Sequence, residues 1–422
     1  MNRLRMIFAL ALIYIVFAIL LNSVGTVILQ SMATFGIDKP SASSLERYKD
    51  LTIAFVSFIV ASFLPLLGYR RAMMLSLVIV GAACVAMPLF PSFATTKLLF
   101  AAIGVSFALA KVAVYSSIGL LTNDDKAHSR LTNTIEGVFM VGVLIGNWLF
   151  SGFVDAANPG NPAWINVYWV IAGLCGLVLL LLATSKLDES AAHSEGHNNT
   201  AADSIMEMLR LFVRPLVYVF LASAFLYVLI EQSFSTWLPT FNNEILMLPN
   251  AMSIQFASIL PGMTAVGRIG AGFVLKRVSW YSLLNVCVVG MGLLVVVVLP
   301  LARDVVAHPD VGWFNAPLAA YLIPLMGLLM APIYPVINSV VLSSLPKPMH
   351  AAMTGLIVVF SALGGTLGSY VTARVFAAFD GIHAFYFSLL PMALLLTTLF
   401  LFKRETNRAG LGMPPTVRLA VK

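Results

Sequence analysis

Apolar runs long enough to cross a bilayer follow one another along almost the whole chain, and this constrains the fold more than any motif does. The first reads Met6-IFALALIYIVFAILLNSVGTVILQ-Ser31. A helix needs about 20 apolar residues to traverse the hydrocarbon core. Inside lipid every backbone N–H and C=O must be satisfied within the segment, so runs of this length are read as helices. Twelve spans result: 6–33, 50–69, 72–92, 96–122, 131–155, 164–184, 212–241, 251–275, 280–302, 316–345, 350–378 and 382–402. Of the 422 residues, 60% are apolar and 10% charged, against about 25% charged in a soluble domain. A soluble core of this size would lack the polar surface to cover it. The expected class is an all-α, polytopic membrane protein.

The net charge of +7 comes from Lys and Arg scattered singly at span ends. That is a topology signal rather than a phosphate-binding patch, and no nucleic-acid partner is expected. Of the 25 Lys and Arg, 17 fall on one set of loops and tails and 5 on the other, while Lys111, Arg268 and Arg374 lie within spans. An even number of crossings and this asymmetry put both termini in the cytoplasm, with the protein in the cytoplasmic (inner) membrane. Arg3 and Arg5 precede an apolar run, as in a signal peptide. The run is too long and has no small-residue cleavage site, so it is expected to stay as the first helix. Cys84, Cys175 and Cys287 all fall in apolar runs and read as packing residues, with neither disulfide nor metal expected.

Residues 185–211 are polar and poor in aromatics, with Asp188, Glu189, His193, Glu195, His197, Asn198 and Asn199. They read as a cytoplasmic linker between two six-helix halves, 1–184 and 212–403, followed by a tail, 404–422. His193 and His197 are spaced for a metal on a helix, but a solvated linker is favoured, with no metal. A repeat supports the halves. At an offset of 222 residues His128 matches His350, Thr132 matches Thr354, Gly142 matches Gly364 and Gly146 matches Gly368. In both spans the Gly-xxx-Gly pair would let another helix approach closely.

Over essentially its whole length the chain resembles the major facilitator superfamily: twelve spans, a central linker, and basic turns after spans two and eight. The superfamily's loop signature has the form Gly-xxx-Asp-Arg-x-Gly-Arg-Arg. After span eight stands Gly272-FVL-Lys276-Arg277, with Lys where the acid is expected; after span two stands Gly68-Tyr69-Arg70-Arg71, only a basic pair. The resemblance implies gating roles for Arg70, Arg71, Lys276 and Arg277, with a pure topology signal as the alternative. Within the superfamily the chain is similar to the fucose–proton symporter group. Tyr227-VLI-Glu231-QSFST-Trp237-Leu238-Pro239 looks like its span-seven pattern, and Asn133-TI-Glu136-Gly137-Val138-Phe139 like its span-five pattern. Its acids in spans one and four are missing. Asn22 stands in the first region and Lys111 in the second. Fucose is therefore not carried over, and the reversed sign in span four points to an acidic solute.

Charges inside a membrane are functional candidates, because each costs several kcal/mol unless it meets water or a partner. Lys111 lies about 11 residues from the end of span four, roughly 16 Å deep, where it could anchor a substrate carboxylate or pair internally. Glu231, at mid-depth in span seven, is the candidate proton-coupling carboxyl. Glu136, about 8 Å into span five, could serve coupling, the substrate or a gate. Arg268, between Gly267 and Gly270, could pair structurally or hold an anion, and Arg374 is expected to snorkel. Asn22, Tyr115, Tyr334 and Trp237 complete the candidate substrate-binding set. Pro332 and Pro335 around Tyr334 should interrupt span ten.

No phosphate-cradling loop, metal cluster or soluble cofactor domain is legible, so neither an enzyme nor a cofactor is expected. The expectation is a secondary active transporter with the major facilitator fold, two pseudo-symmetric six-helix bundles. It would rock to move a small polar solute, an organic anion before a sugar, with protons, as a monomer in the lipid bilayer. Efflux of an amphipathic drug or siderophore is the alternative, and a non-transporting receptor or scaffold the alternative of another class.

Overall fold

The computed structural model describes residues 2–122, 125–155, 157–185, 187, 189, 206, 210–212, 214–303, 305–307, 310–345 and 349–408. Asp188, His193, Glu195, His197, Asn198 and Asn199, all read above, lie outside them. Among the described residues the secondary structure is helical, with no strand. Eleven helices are long and apolar enough to cross a membrane. A further helix, Ser44–Leu67, runs 24 residues over the predicted second span. The protein is an all-α integral membrane protein.

Span boundaries follow the sequence to within a few residues, and the departures have local causes. Span one is Asn2–Asn22 followed by Val24–Phe35, divided at Ser23. Span eight divides at Ser258 and span twelve at Ser388. At all three, the serine hydroxyl donates to the carbonyl three residues back: Ser23 to Leu20 (2.8 Å), Ser258 to Gln255 (2.6 Å) and Ser388 to Phe385 (2.6 Å). A hydroxyl that takes a backbone acceptor competes with the helical N–H, which locally bends the helix. Span ten is interrupted where the prolines demand it, with Leu318–Met330 giving way at Ala331–Pro332 to Ile333–Ser343. Span four, Phe93–Leu121, starts on Ser92, whose hydroxyl accepts the Thr95 N–H at 3.1 Å.

The chain divides into two compact units, residues 1–201 and 202–422. In the first, span five (Asp125–Ser151) packs on span one, and in the second, span eleven (His350–Ala378) packs on span seven (Pro215–Glu244). The repeated glycines lie at these contacts. A Cβ on Gly142 would come 3.1 Å from the Ile15 Cα, and one on Gly146 3.2 Å from the Ile19 Cα. In the second unit a Cβ on Gly364 would strike the Phe225 carbonyl and one on Gly368 the Leu229 carbonyl. Both units therefore rest on the same backbone-close helix pair.

A second pair repeats as well. Gly104 of span four faces the Lys49 carbonyl of span two, and Gly327 of span ten faces the Leu260 carbonyl of span eight. Seven residues after these glycines stand Lys111 and Tyr334. They occupy equivalent positions in the two units.

Candidate functional site

In the first unit the polar group is assembled from three helices. Tyr115 of span four donates its hydroxyl to Glu136 Oε1 of span five. The Tyr115 ring meets Tyr14 of span one edge-on at 6.3 Å, and Tyr14 meets Phe139 of span five at 5.8 Å. One turn on the other side of Lys111, Phe107 packs at 5.7 Å on Phe17 of span one. Residues 107, 111 and 115 share a helix face. Lys111 thus stands on the face turned to spans one and five.

Lys111 is exposed. Its Nζ lies 5.7 Å from the centre of the Phe107 ring and within electrostatic reach of Glu136. Among the described residues it makes no ion pair. The Tyr14 side chain is 3% exposed, and its hydroxyl has no hydrogen-bond partner. Burying an unpaired hydroxyl is unfavourable. The group therefore offers a cation without a bonded carboxylate, a spare hydroxyl, and a carboxyl held by a tyrosine. Asn22 is exposed at the break in span one and donates to its own Ala18 carbonyl at 2.9 Å.

The second unit repeats the tyrosine–carboxyl theme. The Tyr227 hydroxyl lies 3.1 Å from Glu231 Oε1 and 3.1 Å from the Met330 carbonyl. Its ring stacks on Tyr334 at 5.8 Å, and the Tyr334 hydroxyl bonds the Ser361 hydroxyl at 2.9 Å. Arg268 is within electrostatic reach of Tyr227. Glu231, Arg268 and Tyr334 are thereby gathered around Tyr227.

Trp237 does not join them. It is 0% exposed, and its indole N–H donates to the Ser369 carbonyl at 3.0 Å and approaches the Ser369 hydroxyl at 3.2 Å. In this structure its indole bolts span seven to span eleven. Arg374 donates Nε to the Tyr370 hydroxyl at 2.9 Å, and its guanidinium lies over that ring.

At the turn after span two, Arg70 Nη2 donates to the Ala183 carbonyl at 3.0 Å, at the end of span six. Glu189 accepts the Tyr69 N–H (3.0 Å) and the Arg70 N–H (2.9 Å) at the start of span three, Tyr69–Leu89. A carboxylate on a helix N-terminus is well placed for the dipole. Gly68 has φ +86°, and a Cβ there would sit 2.7 Å from Glu189 Oε2. Arg71, Lys276 and Arg277 are exposed, with Lys276 Nζ 5.4 Å from the Phe273 ring centre.

Sequence reasoning missed Tyr14, Ser361 and a buried ion cluster. Its available signals were a lone hydroxyl at mid-span for Tyr14 and four charges within the five residues 46–50 for the cluster. In that cluster Lys49 pairs with Glu46 and lies 3.4 Å from Asp50, all at most 9% exposed.

The family model described as Major Facilitator Superfamily matches residues 6–369. The chain belongs to the major facilitator superfamily. It is a membrane transporter, not an enzyme. No curated protein matches the sequence. Among solved structures, the nucleoside transporter NupG is similar with TM-score 0.71 and 15% identity, over 96% of this chain and 99% of that one. A bacterial homolog to the human lysosomal transporter Spinster, inward-facing and occupied, gives TM-score 0.73 and 14% identity over 98% and 97%. The E. coli fucose:proton symporter FucP gives 0.61 and 15% over 95% and 99%. At these identities the likeness is one of fold.

Proposed function

We propose that this chain is a proton-coupled carrier of a small organic anion, working by alternating access in the inner membrane with both termini cytoplasmic. One observation carries the reading. An ammonium group, Lys111, stands midway along a membrane span with no ion pair among the described residues, beside a Tyr115–Glu136 pair and an unpartnered Tyr14 hydroxyl. Holding a cation there unpaired costs several kcal/mol, and a substrate carboxylate would relieve it. Two tyrosine-bonded carboxyls, Glu136 and Glu231, are available to carry the proton. Neighbours of the same fold named for nucleosides and fucose are consistent with a small polar solute.

The test is a thermal-shift panel of acetate, lactate, gluconate and benzoate against glucose and benzamide. At least one carboxylate should raise the unfolding midpoint of the wild type and leave that of Lys111→Gln unchanged. Stabilisation by the neutral compounds alone, or carboxylate stabilisation that survives Lys111→Gln, overturns the reading.

A further inference from the structure

Most cations of the chain stand singly or in pairs at span ends, but span twelve ends in three within six residues: Lys403, Arg404 and Arg408. The helix that carries them, Leu389–Arg408, packs within the second unit on span nine, Trp280–Val298. A Cβ on Gly292 of span nine would lie 3.7 Å from the Leu389 side chain, and the Trp280 ring meets Phe402 at 5.7 Å. Lys403 Nζ lies 4.1 Å from the centre of the Tyr281 ring, a cation–π contact that holds the ammonium in place. Where the two helix ends meet, a cavity of about 650 Å³ opens, lined by Tyr281, Phe400, Lys403, Arg404, Asn407 and Arg408.

The charge of this cavity is not balanced from within. Arg408 pairs with Glu405 at 2.9 Å. Lys403 and Arg404 make no ion pair among the described residues. Residues 409–422 add Arg418 and Lys422 and neither Asp nor Glu. The cavity therefore keeps two positive charges that call for an anion from outside the chain.

Position decides which anion fits. Phe400 is 56% exposed, at the apolar edge of the cavity. Along the helix Lys403 stands about 4.5 Å and Arg408 about 12 Å beyond it. That interval covers the headgroup layer, roughly 5–8 Å thick on each side of the hydrocarbon core. On the other side of Phe400 both helices turn apolar side chains outward: Val286, Val289 and Leu293 on span nine, Ala393 and Leu394 on span twelve. Thr397 on the same stretch bonds its own Ala393 carbonyl at 3.1 Å. A free anion would gain the cations alone. A phospholipid gains the cations for its phosphate and an apolar surface for its chains.

We propose that the cavity between the ends of spans nine and twelve holds the headgroup of one anionic phospholipid, with Lys403 and Arg404 as its counter-ions. The Arg404 guanidinium suits two phosphate oxygens at once, and Asn407 adds an amide donor. Basic pockets between helices at a membrane face recognise such headgroups. The site lies wholly within the second unit and does not depend on which solute is carried.

The test uses the full-length protein in dodecyl maltoside, titrated with dioleoyl phosphatidylglycerol and with dioleoyl phosphatidylcholine, and native mass spectrometry counts the lipids retained. One phosphatidylglycerol per chain should be held, about ten-fold or more tighter than phosphatidylcholine. Arg404→Gln should weaken it about five-fold, and Lys403→Gln combined with Arg404→Gln about 25-fold. Lys403 also packs on Tyr281, so the Arg404 single variant separates lost charge from lost packing. Arg210→Gln combined with Arg214→Gln removes two exposed cations before span seven, outside the cavity, and should leave retention unchanged. Millimolar inorganic phosphate should not displace the lipid. Equal retention of the two lipids, retention undiminished in Arg404→Gln and in the Lys403–Arg404 double variant, or an equal loss in the Arg210–Arg214 variant overturns the inference. Displacement by inorganic phosphate overturns it as well, since the cavity would then be a site for the free ion.

Discussion

Gly142 and Gly137 stand on the same helix and should respond to alanine in opposite directions. A Cβ on Gly142 would come 2.7 Å from the Ala18 Cβ and 3.1 Å from the Ile15 Cα, whereas one on Gly137 meets nothing within 4 Å. The first contact forces span five away from span one, an overpacking that costs about 1–3 kcal/mol. The second substitution gains up to about 1 kcal/mol by removing a flexible residue from a helix. The two variants should differ by roughly 1–4 kcal/mol. For a unit of 201 residues, at about 2–4 °C per kcal/mol, that is a separation of roughly 2–16 °C in unfolding midpoint. The three cysteines are all buried, so a thiol-reactive dye in a thermal ramp reports the transition without labelling. Gly364→Ala and Gly368→Ala should behave like Gly142→Ala, because their Cβ atoms would strike the span-seven backbone. Equal midpoints for Gly137→Ala and Gly142→Ala would refute the claim that the repeated glycines are close-packing points.

Trp237→Phe removes the indole donor to Ser369. It should lower the unfolding midpoint by the equivalent of about 1 kcal/mol while leaving carboxylate affinity unchanged in the thermal-shift panel; a selective loss of affinity would return Trp237 to the substrate site. Glu189→Ala frees two N–H groups at the start of span three and should destabilise by about 1 kcal/mol, read as a lower midpoint in the same ramp. Asp155, in the loop after span five, accepts hydrogen bonds from the Asn161 side chain and the Asn158 and Ala157 N–H groups, which hold its carboxyl below the usual 3.8. Its contribution is therefore present above pH 3.8 and lost as pH falls through the lower folded value. Asp155→Asn should flatten the midpoint-against-pH curve in that acid window and leave it unaltered near neutrality.

The fold was legible because lipid permits few alternatives. A 29-residue helix such as Phe93–Leu121 follows from hydrophobic length alone. The glycine offset exposed the repeat because a backbone-close crossing tolerates no side chain. Lys111 stood out because charge at that depth is costly. What escaped was lateral. Nothing along the chain says that Tyr14 would meet Tyr115, since their apposition depends on how span one packs against spans four and five. The Trp237 bond to Ser369 escaped for the same reason: an aromatic near a proline reads alike whether it fronts a cavity or bonds a neighbouring helix. The serine turns at Ser23, Ser258 and Ser388 also escaped, since a hydroxyl that bonds its own backbone leaves no mark on hydropathy.

The account stands on Lys111 holding a carboxylate during transport. Counterflow into proteoliposomes, using the radiolabelled carboxylate that most stabilises the wild type, measures this directly. Wild-type protein should exchange internal for external anion, and Lys111→Gln should fall to the rate of protein-free vesicles although it inserts and unfolds like wild type. Undiminished exchange by Lys111→Gln would contradict the account.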